Sequence, residues 1–76
     1  MEQNKLKRAR QRFEGELAES IDDAVNQYPE GAVYYQLRES FDRAVATTAL
    51  RRAGSARRAA EHLGINYRTF RKMLGK

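Results

Sequence analysis

Arginine crowds one stretch of this chain, GSARRAAEHLGINYRTFRKML, where Arg57, Arg58, Arg68, Arg71 and Lys72 are opposed only by Glu61. Side chains of this kind bind anions, and the planar guanidinium fork matches both phosphate oxygens and the O6/N7 edge of guanine. The charge layout points the same way. Five Lys or Arg stand against one Glu from Met1 to Arg12, two against eight Asp or Glu from Phe13 to Leu50, and eight against Glu61 alone from Arg51 to Lys76. Cations gathered at the end of a small basic domain are the electrostatic footprint of a polyanion binder. Catalysis has little material. His62 is the only histidine, Asp22 and Asp23 as helix neighbours point about 100° apart, and Ser20, Ser40 and Ser55 lack a base constellation. The chain has no cysteine, hence no disulfide, thiolate metal ligand or cysteine nucleophile. The expectation is a protein that is not an enzyme and needs neither cofactor nor metal.

The elements that position these cations follow from apolar spacing. Leu6, Ala9, Phe13, Leu17, Ile21, Ala24, Val25 and Tyr28 recur every three or four residues, which predicts a helix from about Lys5 to Gln27. YPEG interrupts it, because Pro29 disfavours helical geometry at Tyr28 and Gly31 supplies a turn. A second stripe, Val33, Leu37, Phe41, Ala44, Val45, Thr48 and Ala49, predicts a helix to about Arg52, folded back antiparallel on the first. A chain of 76 residues is one domain, 1–76, and buries only about 60% of its unfolded surface, so a second subunit is expected. Two amphipathic helices over 5–52 leave an apolar seam that a second copy closes into a homodimeric four-helix core. Phe13, Leu17, Ile21, Val33, Leu37, Phe41 and Val45 are the expected dimer interface. One of Tyr34 and Tyr35 is expected to face that seam and the other its edge.

Residues 54–76 read as two short helices. Ser55 can cap the first, which runs to Leu63, and Gly64 stands where a helix stop needs left-handed backbone. Ile65 can be buried in the turn, and Asn66 can cap a last helix from Tyr67 to about Leu74. Ala59, Ala60 and Leu63 form one apolar patch and Phe70, Met73 and Leu74 another, leaving Arg68, Arg71 and Lys72 outward. That is the order of a helix-turn-helix, whose second helix enters the DNA major groove. Free N–H groups in the first turns, behind Ser55 and Asn66, are further phosphate donors.

ALRRAGSARRAAEHLGINYRTFRKML resembles the C-terminal helix-turn-helix of the Fis family, which includes a nucleoid protein and the DNA-binding domains of NtrC-type enhancer-binding regulators. RAAEHLGIN followed by RTFRKML carries the likeness, over about a third of the chain. The resemblance implies an all-α homodimer with two core helices and two DNA-reading helices per subunit. It places Asn66 at the tip of the recognition helix against bases or backbone. Thr69 falls on a phosphate-contacting threonine, Arg71 on a groove-facing arginine and Lys72 on a backbone-contacting lysine. Ser55 and Arg57 fall at the start of the first motif helix, where the family touches phosphate. Tyr67 departs from the pattern: the family's nucleoid protein has a guanine-reading arginine there, whereas tyrosine can stack on sugar or touch a thymine methyl. With Arg68 exposed beside it, Tyr67 completes the expected DNA-binding set. The resemblance further implies bent DNA, since paired motifs held closer than about 34 Å reach successive major grooves only on a curved duplex. The basic N-terminal NKLKRARQRF replaces the family's β-hairpin arm, so stimulation of DNA inversion is not implied.

The expected function is therefore sequence-preferring binding of double-stranded DNA by a homodimer, as a small transcription regulator or a DNA-bending nucleoid-associated protein. An excised DNA-binding domain of an enhancer-binding activator is the alternative within the same chemistry. A helical protein-interaction module with a basic docking face is the alternative outside it. No apolar run approaches the roughly 18 residues of a membrane span, so no membrane partner is expected, and the expected location is the cytoplasm, on the bacterial nucleoid.

Overall fold

Among the described residues every regular element is helical, as the apolar spacing predicts. In a computed structural model that describes residues 2–75, α1 spans Glu2–Val25, α2 Val33–Ala53, α3 Ala56–Leu63 and α4 Tyr67–Met73. Met1 and Lys76, the ends of the expected domain, lie outside the described residues. The chain falls into two units divided between Val33 and Tyr34.

The first unit is α1 and the turn after it. At 24 residues the helix is about 36 Å long, and it begins three residues before the expected Lys5 and ends two before Gln27. The basic segment from Lys5 to Arg12 is thus helical and exposed. Arg12 Nε lies 3.5 Å from Glu16 Oε1, one turn on, with both side chains largely in solvent; such a pair contributes a few tenths of a kcal/mol at most. Along the apolar stripe Leu6 is 67% exposed, Phe13 48%, Ile21 38% and Val25 40%, while Leu17 is half-buried. After Val25 the Ala32 N–H donates to the Pro29 carbonyl at 3.1 Å, and Gly31 takes φ 89°, where a side chain would strain the backbone.

The second unit has its own core. Ala46, Ala59, Ala60 and Phe70 are buried, and Ala49, Leu50, Ala53, Ala56, Leu63, Ile65, Met73 and Leu74 pack around them. Phe70, at 0% exposure, is its only large fully buried side chain among the described residues. Small residues, Ala46 of α2 and Ala59 and Ala60 of α3, are the other buried members of that core. Here α2 differs from its expected single stripe. Ala44 and Thr48 are exposed, and the buried side of the helix is Ala46 with Ala49, Leu50 and Ala53. At 100° per residue this second face stands roughly opposite Val33, Leu37, Phe41 and Val45. One helix therefore carries two apolar faces, and its C-terminal half belongs to the same core as α3 and α4. On the other face Val33, Leu37 and Val45 are half-buried and Phe41 is 40% exposed. Tyr34 and Tyr35 are both largely exposed and meet edge to face with centroids 5.3 Å apart.

Candidate functional site

Residues 54–75 fold as the local signals require. Gly54 ends α2 with φ 85°. Ser55 follows in extended geometry, and its Oγ accepts from the Arg58 N–H at 3.3 Å. At the other end of α3 the Gly64 N–H donates to Glu61 O at 3.1 Å and the Ile65 N–H to Ala60 O at 3.0 Å. With Gly64 at φ 72°, ψ 30°, these two bonds close a Schellman stop, and half-buried Ile65 packs back on the core beside Ala60. Asn66 then caps α4, its Oδ1 accepting from the Arg68 N–H at 2.7 Å. The N–H groups of Arg58 and Arg68 are thus spent on the caps, which removes them from the donors that could meet a phosphate. A contact from the Asn66 side chain to phosphate comes from its amide nitrogen, since phosphate oxygens accept.

Cap and contact can therefore be separated. Asn66→Ala should destabilise the fold by about 0.5–2 kcal/mol. Asn66→Ser should keep the cap, and so most of the stability, while losing the amide donor. Thermal denaturation of the two variants checks this, and equal losses would show that the cap bond contributes nothing.

The core fixes which side of α4 faces out. Arg68, Thr69, Arg71 and Lys72 are exposed, as are Ser55, Arg57, Arg58 and Asn66, whereas Tyr67 is half-buried. Around the helix the polar arc runs from Tyr67 and Arg71 through Arg68 to Lys72 and Thr69. The structure gathers three of the expected residues at one end of that arc. The Arg57 guanidinium carbon lies 4.6 Å from the centroid of the Tyr67 ring and that of Arg71 5.8 Å from it, and Arg71 Nη1 donates to the Tyr67 hydroxyl at 3.3 Å. Thr69 and Lys72 stand apart from this group. They line a small cleft with Glu39, Asp42 and Arg43 of α2, and with Met73 and Gly75.

The spacing of Tyr67 and Arg71, one helical turn, makes their contact legible in the sequence. The arrival of Arg57 from α3 at the Tyr67 ring, and of Glu39 and Asp42 of α2 in the cleft that Lys72 lines, depends on how the helices pack and has no local signal. His62 is exposed in the last turn of α3, and among the described residues no three metal-ligating side chains cluster. No described helix is long and apolar enough to cross a membrane. Comparison with protein-family models, curated proteins and solved structures finds no match for this chain.

Proposed function

We propose that this chain is a homodimeric double-stranded DNA-binding protein that uses α3, the Gly64 turn and α4 as a helix-turn-helix, acting as a small transcription regulator or a DNA-bending nucleoid-associated protein. The observation that carries the reading is the segregation on α3 and α4. Their apolar side chains enclose Phe70, while Arg57, Arg58, Arg68, Arg71 and Lys72 lie in solvent, none in an ion pair with a carboxylate among the described residues. Seven residues of α4 extend about 10 Å, and an α-helix fits the roughly 12 Å width of the major groove. The partly exposed aliphatic and aromatic side chains of α1 and α2 support closure by a second copy, with the two chains arranged as a four-helix core.

A gel shift with duplex DNA, single-stranded DNA and duplex RNA at several salt concentrations tests the reading. Duplex DNA should bind most tightly, with affinity falling steeply as salt rises because bound cations release condensed counterions. Equal retention of all three acids and of polyglutamate would mark a general acidic-surface docking module instead.

Base readers and phosphate binders should then respond differently. Arg71→Ala should cost about 1–3 kcal/mol and relax discrimination at one base position, whereas Lys72→Ala should weaken all sequences alike and flatten the salt dependence. Binding to a panel of single-base site variants checks both. Uniform loss in both variants would remove the base-reading role from Arg71.

A further inference from the structure

We propose that Tyr67 is a positioning residue: its ring holds Arg57 of α3 and Arg71 of α4 together, so that DNA meets a preassembled pair of guanidinium groups and the tyrosine itself reads no base. The inference rests on the DNA-binding reading above and assigns Tyr67 a part in it.

Three features of the site carry it. Arg71 lies one turn after Tyr67 on α4, and helical side chains lean toward the N-terminus. That lean brings its guanidinium to the Tyr67 ring, with Arg71 Nη1 on the hydroxyl at 3.3 Å. Arg57 comes from the first turn of the other helix and lies 4.6 Å from the same centroid. The separation of α3 and α4 is set by the core of Ala59, Ala60 and Phe70. The ring is half-buried, whereas both arginines are exposed, so the tyrosine serves as the floor and the guanidinium groups as the surface.

Electrostatics say what the pair is for. An aromatic face attracts each cation, yet two cations on one ring repel each other. No carboxylate among the described residues forms an ion pair with either. A phosphodiester strand relieves that repulsion. Holding both side chains in place beforehand also removes much of the rotamer entropy that two free arginines would lose on binding. Arg57 then contacts backbone while Arg71, restrained from below, keeps its groove orientation.

The test is a set of full-chain variants, Tyr67→Phe, Tyr67→Ala, Arg57→Ala, Arg71→Ala and the double Tyr67→Ala/Arg71→Ala, measured on single-base variants of a selected duplex site. Circular dichroism establishes that each is folded. Tyr67→Ala should relax the same base position as Arg71→Ala. Its effect there should be much smaller once Arg71 is gone, because the ring acts through that arginine. Tyr67→Phe keeps the ring and loses only the hydroxyl bond, so it should retain most of the discrimination, within about two- to five-fold of the parent. Relaxation at a base position that Arg71→Ala leaves untouched would mean that the tyrosine contacts DNA itself, and full additivity in the double variant would mean the same; either overturns the proposal. Should Tyr67→Ala not fold, Tyr67→Leu takes its place, since it removes the aromatic ring and keeps an apolar floor. Relaxation at the Arg71 base position in that variant supports the proposal, and unchanged discrimination there overturns it. Failure of the parent chain to bind duplex DNA at all is a separate result, against the function and not against the packing of this pair.

Discussion

Phe70→Ala should be the most damaging single truncation in this chain, costing about 3–5 kcal/mol. The ring is fully enclosed, and the other buried residues of its core are Ala46, Ala59 and Ala60, with Leu50, Leu63 and Met73 among the partly buried side chains packed around them. The alanines have no side-chain length with which to collapse into the space, whereas the longer side chains around them can close part of it, and that balance sets where in the range the cost falls. A chain of 76 residues has a total stability of roughly 4–11 kcal/mol at about 0.05–0.15 kcal/mol per residue. The loss is therefore comparable to everything that holds the fold. Urea denaturation followed by circular dichroism should show a much lower midpoint, and duplex binding should disappear with the α3–α4 surface. Phe70→Leu, which refills much of the volume, should fall between the two. An unchanged midpoint for Phe70→Ala would mean that α3 and α4 are held by something other than this ring.

The second large effect concerns assembly. Leu37→Glu combined with Phe41→Glu should convert the proposed dimer into a monomer that folds poorly and binds DNA weakly. In one chain Phe41 is 40% exposed, as Phe13, Ile21 and Val25 are at 48%, 38% and 40%. If a second copy covers these side chains, each added carboxylate enters an apolar seam without a partner, at a cost of several kcal/mol. Dimer and fold are then linked by mass action, so stability should depend on protein concentration in the parent and not in the variant. DNA affinity should fall further than the loss of one motif suggests, since two motifs on one particle bind with an effective concentration that a monomer lacks. Sedimentation velocity on parent and variant reads the assembly, urea denaturation at several protein concentrations the stability, and the gel shift the affinity. A stable, folded, DNA-competent parent monomer at micromolar concentration would end the dimer reading while leaving the α3–α4 surface intact. Those substitutions lie on the face of α2 opposite Ala46 and Leu50, so the core around Phe70 is not touched directly.

The sequence by itself determined the elements and their punctuation. Helical class followed from the three- and four-residue recurrence of apolar side chains. Pro29, Gly54, Ser55, Gly64 and Asn66 placed the breaks, because caps, left-handed turns and proline sterics act within a few residues and need no distant partner. The charge of the last third, and the outward placement of Arg68, Arg71 and Lys72, were legible for the same reason: once Phe70, Met73 and Leu74 face inward, helical geometry places the rest. Boundaries moved by a few residues where no strong signal stood, as at the start of α1. What only the tertiary structure decided is which apolar residues meet. Ala46 and Leu50 lie outside the stripe that Leu37 and Phe41 define, and nothing local distinguishes a second buried face of α2 from small residues on a solvated one. The ring of Tyr67 meeting Arg57, and Glu39 and Asp42 lining the same cleft as Lys72, likewise required separate helices to be packed at a particular angle and depth. Periodicity reports which side of a helix is apolar; the choice of what covers that side is made by side-chain volume and shape across the whole fold.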